Sequence, residues 1–286
     1  MWNCRDLFPI EAGNENMDNP NPIGVFDSGV GGLSVLRWIR AELPNEDLLY
    51  IADSTYAPYG NRGTSFIERR SIALTNFLLN QKAKAIVVAC NTATAASIAT
   101  LRSMFHIPIV GIEPGVKPAM AKTKTGIIGI LATTETLKSV KFNQLISRFS
   151  EDVKFVVQDC PGLVEQVELA NFMGKKTQNL VKKYVSFLLS EGADTIVLGC
   201  THYIFLEPIV KKIAGQDIDI IDTGAAVARE VGHRLREENL LSTENRTGSE
   251  IFWTSNTQKD TQRLIGRLWN QTVDIRPLPN DLEKAS

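Results

Sequence analysis

Residues 85–97, AIVVACNTATAAS, carry a short apolar run into Cys90 and then into the small polar pair Asn91-Thr92. Residues 195–203, TIVLGCTHY, have nearly the same form: an apolar run, Cys200, then Thr201 and His202. Short apolar runs closed by turn-forming side chains read as strands buried on both faces, as in parallel sheets. One cysteine at such an end reads as packing, because free cysteine is among the most buried residue types. Two in matching positions ask for a joint explanation.

Working outward, each of these strands follows an amphipathic, helix-length segment. In 65–81 (SFIERRSIALTNFLLNQ) Ile67, Leu74 and Leu78 share one face. In 179–192 (NLVKKYVSFLLSEG) Val181, Tyr184 and Leu188 do, with Gly192 as a C-terminal cap. Upstream, PIGVFD (22–27) predicts a strand, GGLSVLRWIRAEL (31–43) a helix ended by Pro44, and DLLYIAD (47–53) a second strand. A helix over 92–105 and a strand in IPIVGIEPG follow Cys90, and the pattern restarts at GIIGILATTETLKSV (126–140). Cys200 follows Cys90 by 110 residues and Thr133 follows Asp27 by 106. A duplicated doubly wound half would give such near-equal offsets, although alternating α/β chains are self-similar in any case. The tail, IFWTSNTQKDTQRLIGRLW (251–269), predicts a strand and a closing helix that return to the first half, and 270–286 reads as a loose end. The fold class expected is α/β, with mostly parallel sheets flanked by helices.

Composition narrows the function. The 286 residues are 43% hydrophobic and 22% charged with a formal net charge of −1, which lacks the basic excess of a nucleic-acid partner. No run approaches the roughly 18 apolar residues of a membrane span, and the N-terminus lacks a signal pattern. A cytoplasmic protein is expected. Cys4, Cys90, Cys160 and Cys200 lie far apart, without the close-spaced pairs of a structural zinc site. Disulfides are disfavoured in a reducing cytosol, so these thiols are either packing or chemistry.

Ligand sites of parallel sheets lie at the C-terminal ends of strands. Asp27-Ser28, Asp53, Cys90-Asn91-Thr92, Thr133, Cys160 and Cys200-Thr201-His202 all fall at such ends. A cysteine that opens a helix sits near unpaired N–H groups and the positive end of the helix dipole, a setting that favours thiolate. His202 could trade protons with Cys200, while Asn91 and Thr92 suit an anionic group. Two opposed thiols fit the inversion of a carbon bearing an acidic proton. That reaction needs a base on one face and an acid on the other, which exchange roles at each turnover. Gly29-Val30-Gly31-Gly32-Leu33-Ser34, with Asp53 at the next strand end, comes close to a dinucleotide fingerprint and supplies a rival reading. Ser34 in the third small position and the carboxylate of Asp27 before the glycines count against it. Asp27 then binds an ammonium group or assists proton transfer, and Ser28 hydrogen-bonds, unless the two simply form a turn and a helix cap.

GVFDSGVGGLSVL, DSTYAPYG, ACNTATA, GILATTETLKS, LGCTHY and DTG, in that order from about Ile23 to about Trp269, resemble the cofactor-independent glutamate racemases. The resemblance implies two pseudosymmetric doubly wound domains with the active site in the cleft between them. Residues 23–112 plus 225–286 would form the first domain, 113–224 the second, and 1–22 an N-terminal extension. It also implies interconversion of L- and D-glutamate without pyridoxal phosphate or metal, in the service of peptidoglycan synthesis. Cys90 matches the base acting on D-glutamate and Cys200 the base acting on L-glutamate. Asp27 and His202 match auxiliary acid–base residues, and Glu168 a further assisting carboxylate, with Glu165 one helical turn away. Ser28, Tyr59, Gly60, Asn91, Thr92, Thr201 and His202 match substrate-contacting positions, and Thr133 and Thr136 stand in the equivalent turn of the second half. A homodimer and regulation by a peptidoglycan precursor go with the family. Ile204 departs from its usual proline, which bears on the stiffness of the turn after His202.

Three alternatives stand beside this reading. A racemase of aspartate or another amino acid would share the thiol pair. A cysteine hydrolase would use Cys200 with His202 alone, and a nucleotide-binding module would use the glycine turn and Asp53. Cys160 and Cys4 read as packing or idle, and His106 and His233 as structural or surface residues.

Overall fold

β1 (Ile23–Asp27) is buried along its whole length in the computed structural model of the protein, which describes residues 20–279 and Leu282. Most of the N-terminal extension, with Cys4, lies outside the described residues. Alternate β1 side chains enter opposite cores, as strand geometry requires. Ile23 and Val25 join Leu33, Leu36 and Ile39 of α1 (Leu33–Glu42), while Phe26 joins the helix on the other side. β2 (Leu48–Ala52), α2 (Thr64–Asn80), β3 (Ala85–Val88), α3 (Asn91–Met104) and β4 (Ile109–Gly111) follow. The face of α2 read from sequence packs as expected, with Ile67, Leu74 and Leu78 buried beside Phe26.

The chain then builds a second sheet. α4 (Val116–Met120), β5 (Ile127–Ala132), α5 (Thr134–Lys138), α6 (Val140–Ser147), β6 (Lys154–Asp159), α7 (Leu163–Glu168), α8 (Lys175–Ser190), β7 (Thr195–Leu198), α9 (Glu207–Ala214) and β8 (Asp219–Ile221) alternate in order. Gly192 follows α8 at φ +88, a left-handed stop that suits a residue without Cβ. α10 (Gly224–Glu237) returns to α1, and β9 (Glu250–Thr254) pairs with β2, ahead of α11 (Lys259–Trp269). The stretch after Trp269 is not wholly loose: β10 (Ile275–Pro277) pairs in parallel with β9 at the sheet edge. Its isoleucine is half-buried and the other two residues are exposed, and an edge position tolerates the proline.

All pairings are parallel, and the sheet orders are β10-β9-β2-β1-β3-β4 and β6-β5-β7-β8. The second order repeats β2-β1-β3-β4 strand for strand. Backbone bonds at the strand ends repeat too. The N–H groups of Ala89 and Gly199, one residue before each cysteine, donate to Phe26 and Leu131 of the central strands, both at 2.8 Å. Asp53 N–H donates to Asp27 O, and Cys160 N–H to Ala132 O. The duplication inferred from spacing is therefore visible in topology.

Candidate active site

The C-terminal ends of the two sheets face each other, and the strand-end residues meet between them. Cys90 is the N-cap of α3 in extended conformation (φ −139, ψ 120), and its Sγ accepts from Ala93 N–H at 3.4 Å. Cys200 has nearly the same backbone (φ −148, ψ 135) but opens a 3-10 helix over Thr201–Leu206, which runs into α9. Ile204 sits within that 3-10 turn, half-buried against the core, and Pro208 stiffens the first turn of α9 just beyond.

Each thiol has a polar relay. On the first side, Cys90 Sγ donates to Ser28 Oγ at 3.6 Å, and Ser28 Oγ donates to Asp27 Oδ1 at 3.4 Å. Asp27 is fully buried, and its Oδ2 also accepts from Gly32 N–H at 2.7 Å and Thr201 Oγ1 at 3.5 Å. It thus closes the glycine turn and reaches the other half. On the second side, Cys200 Sγ lies 3.9 Å from His202 Nδ1, and His202 Nε2 donates to Glu168 Oε1 at 2.6 Å. Gly31 leaves room for this imidazole, since a Cβ there would stand 2.2 Å from Nδ1.

Electrostatics differ from the sequence expectation at Cys90. Burial raises its pKa, reinforced by the Asp27 charge, and outweighs the helix-terminal N–H and the Ser28 hydroxyl. The thiol form is favoured where the helix N-terminus alone predicted thiolate. Burial likewise raises Asp27. Burial works to lower His202, but its bonds to Cys200 and Glu168 and the nearby Asp27 charge overcome this and raise it well above the ordinary value.

Between the relays lies a cluster of hydroxyls and amides. Thr92 Oγ1 is 2.9 Å from Thr133 Oγ1 and 3.3 Å from Thr136 Oγ1, and the last two are 2.9 Å apart. Asn91 is 5% exposed, yet neither its Oδ1 nor its Nδ2 has a hydrogen-bond partner. Such a group is costly to bury, which marks it for a polar ligand. Gly60 packs on Thr133, where a Cβ would come within 3.0 Å.

Tyr59 is buried and commits its hydroxyl to Asp53 Oδ2 at 2.6 Å. Asp53 is itself gripped by Arg70, whose Nε and Nη2 reach its two oxygens at 2.7 Å each. This carboxylate is not free to hold a ribose, and the nucleotide reading loses its acidic residue. Glu165 stays a turn away from the relay and lines a cavity of about 600 Å³ with Ser54, Pro58, Glu168 and Arg267. Cys160 is buried with its Sγ on Gln158 O, as packing predicts. His106 and His233 are exposed. Sequence reading missed Ser54, which donates to Glu168 Oε2 at 3.1 Å, and Tyr50, whose hydroxyl fixes Gly29 O at 2.8 Å. Their places beside strand-end motifs were the available signal. Among the described residues no cluster of three or more His, Cys, Asp or Glu could hold a metal, and no helix is long and apolar enough to cross a membrane.

A family model described as Asp/Glu/Hydantoin racemase matches residues 32–231. A glutamate racemase of Methylococcus capsulatus is 51% identical over 261 residues, covering 91% of this chain and 96% of the relative. Among solved structures, a glutamate racemase isoform from Bacillus anthracis superposes with a TM-score of 0.83 at 33% identity, covering 91% of this chain and 97% of its own. An Escherichia coli glutamate racemase, solved with L-glutamate and the activator UDP-MurNAc-ala, gives 0.80 at 30% identity, covering 91% and 98%.

Proposed function

The chain belongs to the Asp/Glu/hydantoin racemase family and is an amino-acid racemase, and from that premise we propose that it interconverts L- and D-glutamate by cofactor-independent proton transfer between Cys90 and Cys200. With L-glutamate, the Cys200 thiolate takes the α-proton and becomes a thiol. The Cys90 thiol gives a proton to the opposite face and becomes a thiolate. D-glutamate runs the same steps with the roles exchanged, so no net proton is gained or lost. The observation that carries this reading is the equivalence of the two thiols, each one residue past a matched ladder bond at the end of β3 or β7.

The surroundings divide the remaining work. Ser28 and Asp27 link Cys90 to a carboxylate, and His202 and Glu168 do the same for Cys200. These groups steady the thiols and offer charge to the substrate ammonium. The weakly acidic α-proton leaves only if the developing negative charge is stabilised by fixed dipoles. Asn91 and Thr92 supply such dipoles, and the pair Thr133 and Thr136 holds a substrate carboxylate in ground and transition state alike. The D-glutamate formed supplies peptidoglycan synthesis in the cytoplasm.

The test uses the whole protein in heavy water with purified L- or D-glutamate and no added cofactor. Optical rotation should decay to zero from either side, and each product molecule should carry solvent deuterium at its α-carbon. Racemisation of aspartate with glutamate left untouched would overturn the substrate, and inversion without deuterium uptake would overturn the mechanism.

A further inference from the structure

Glu168 ends α7 in the second half, yet two of its hydrogen bonds come from the first. Val30 N–H donates to its Oε1 at 2.8 Å and Ser54 Oγ to its Oε2 at 3.1 Å. The remaining bond is the 2.6 Å contact from His202, whose other ring nitrogen faces Cys200. A continuous line therefore runs from Ser54 through Glu168 and His202 to the Cys200 thiol. Its starting point is rigid: Asp53 beside it is clamped by Arg70 and Tyr59, and Thr55 is bonded twice to Ser255. The approach is also close. A Cβ on Gly29 would lie 2.0 Å from Glu168 Oε1, so the glycine turn of one half accepts the carboxylate of the other only without a side chain.

We propose that Ser54 is a positioning residue which couples contact between the two halves to proton transfer at Cys200. Its hydroxyl fixes the Glu168 carboxylate, which fixes the His202 ring against the thiol. When the halves separate, Glu168 loses both first-half donors and the ring loses its orientation. The Cys90 side depends on contact between the halves far less: Ser28 and Asp27 belong to the same half as Cys90, and the bond it takes from the other half is the long 3.5 Å contact from Thr201 Oγ1 to Asp27. Loss of the Ser54 hydroxyl should thus slow transfer at one thiol and spare the other. This rests on the two-thiol reading above.

The experiment compares Ser54→Ala with Ser54→Thr, using α-deuterated L- and D-glutamate. Ser54→Ala should lower kcat by about tenfold from either enantiomer, the weight of one hydrogen bond to a charged group, with KM unchanged, because Cys200 acts in every turnover as base or as acid and the equilibrium constant between enantiomers is one. The deuterium isotope effect should rise from L-glutamate only, because Cys200 abstraction has become the slower step. Ser54→Thr, which keeps the hydroxyl, should behave as the parent protein. In a Glu168→Gln background, Ser54→Ala should cost nothing further, since the two act as one unit. If Ser54→Ala does not fold, Ser54→Val against Ser54→Thr makes the same comparison at equal shape. Parent-like kcat, an isotope effect that rises equally from both enantiomers, or additive losses with Glu168→Gln would each overturn the coupling. Cys200→Ala in the same assay separates the two levels: if it racemises freely, the two-thiol reading itself fails.

Discussion

Thr92 Oγ1 lies 2.9 Å from Thr133 Oγ1, joining the helix that follows Cys90 to the turn that follows β5 across the cleft. With Thr136 they make a triangle of hydroxyls, each able to donate or accept. A carboxylate placed there can take bonds that the hydroxyls now spend on one another. Thr133→Ala should raise KM for both enantiomers by about tenfold while kcat changes little, the signature of lost uniform binding. Steady-state kinetics from each enantiomer check this; an unaltered KM would put the carboxylate elsewhere.

Cys90→Ala and Cys200→Ala should each lower racemisation by about 10²–10⁴-fold, the usual contribution of a positioned acid or base. The variants should differ in what survives. Cys90→Ala keeps the thiol assigned to L-glutamate, so any residual α-deuterium exchange should appear with that enantiomer and not the other. Proton NMR in heavy water reads this directly. Full activity in Cys90→Ala would sink the mechanism.

Arg70 and Asp53 are both fully inaccessible at the side chain, joined at 2.7 Å. Removing the cation alone strands a buried carboxylate. Arg70→Met should therefore cost about 3–5 kcal/mol in urea unfolding. Arg70→Lys should recover little, since an ammonium cannot reproduce the two-point grip. Adding Asp53→Asn to Arg70→Met should restore part of the loss. A midpoint unmoved by Arg70→Met would show the pair to be dispensable.

Asp194 takes bonds from the Thr123 hydroxyl and the N–H groups of Lys124 and Thr125, which overcome partial burial and lower its pKa to about 2. A carboxylate depressed in the folded state stabilises the fold above its unfolded value. That contribution fades as pH falls from near 4 through about 2. Asp194→Asn should lower the melting temperature by roughly 2–4 °C at pH 7, as ~1 kcal/mol does in a chain of this size. The gap should close toward pH 2. A gap that stays constant over that range would remove ionisation as its cause.

The parts most legible in the sequence were those written in short-range pattern. β3 and β7 are apolar runs with polar stops, α2 and α8 show their buried faces by spacing, and Cys90 and Cys200 stand where those runs end. β10 escaped because Ile275-Arg276-Pro277 is short, half polar and stabilised by its neighbour β9 rather than by its own composition. Ser54 escaped because its partner is 114 residues away in sequence. The raised pKa of Cys90 escaped for a related reason: the helix terminus is local and readable, whereas burial beside Asp27 exists only after folding.

Cys90 and Cys200 are only 5% and 8% exposed, and this gives the proposed catalyst a short memory. Each turnover leaves the single mobile proton on the opposite thiol, so the protein that releases D-glutamate is poised to bind D-glutamate again. A second L-glutamate must wait until the proton returns through the relays or solvent. That return adds a step to every cycle, beside breakage of the carbon–hydrogen bond.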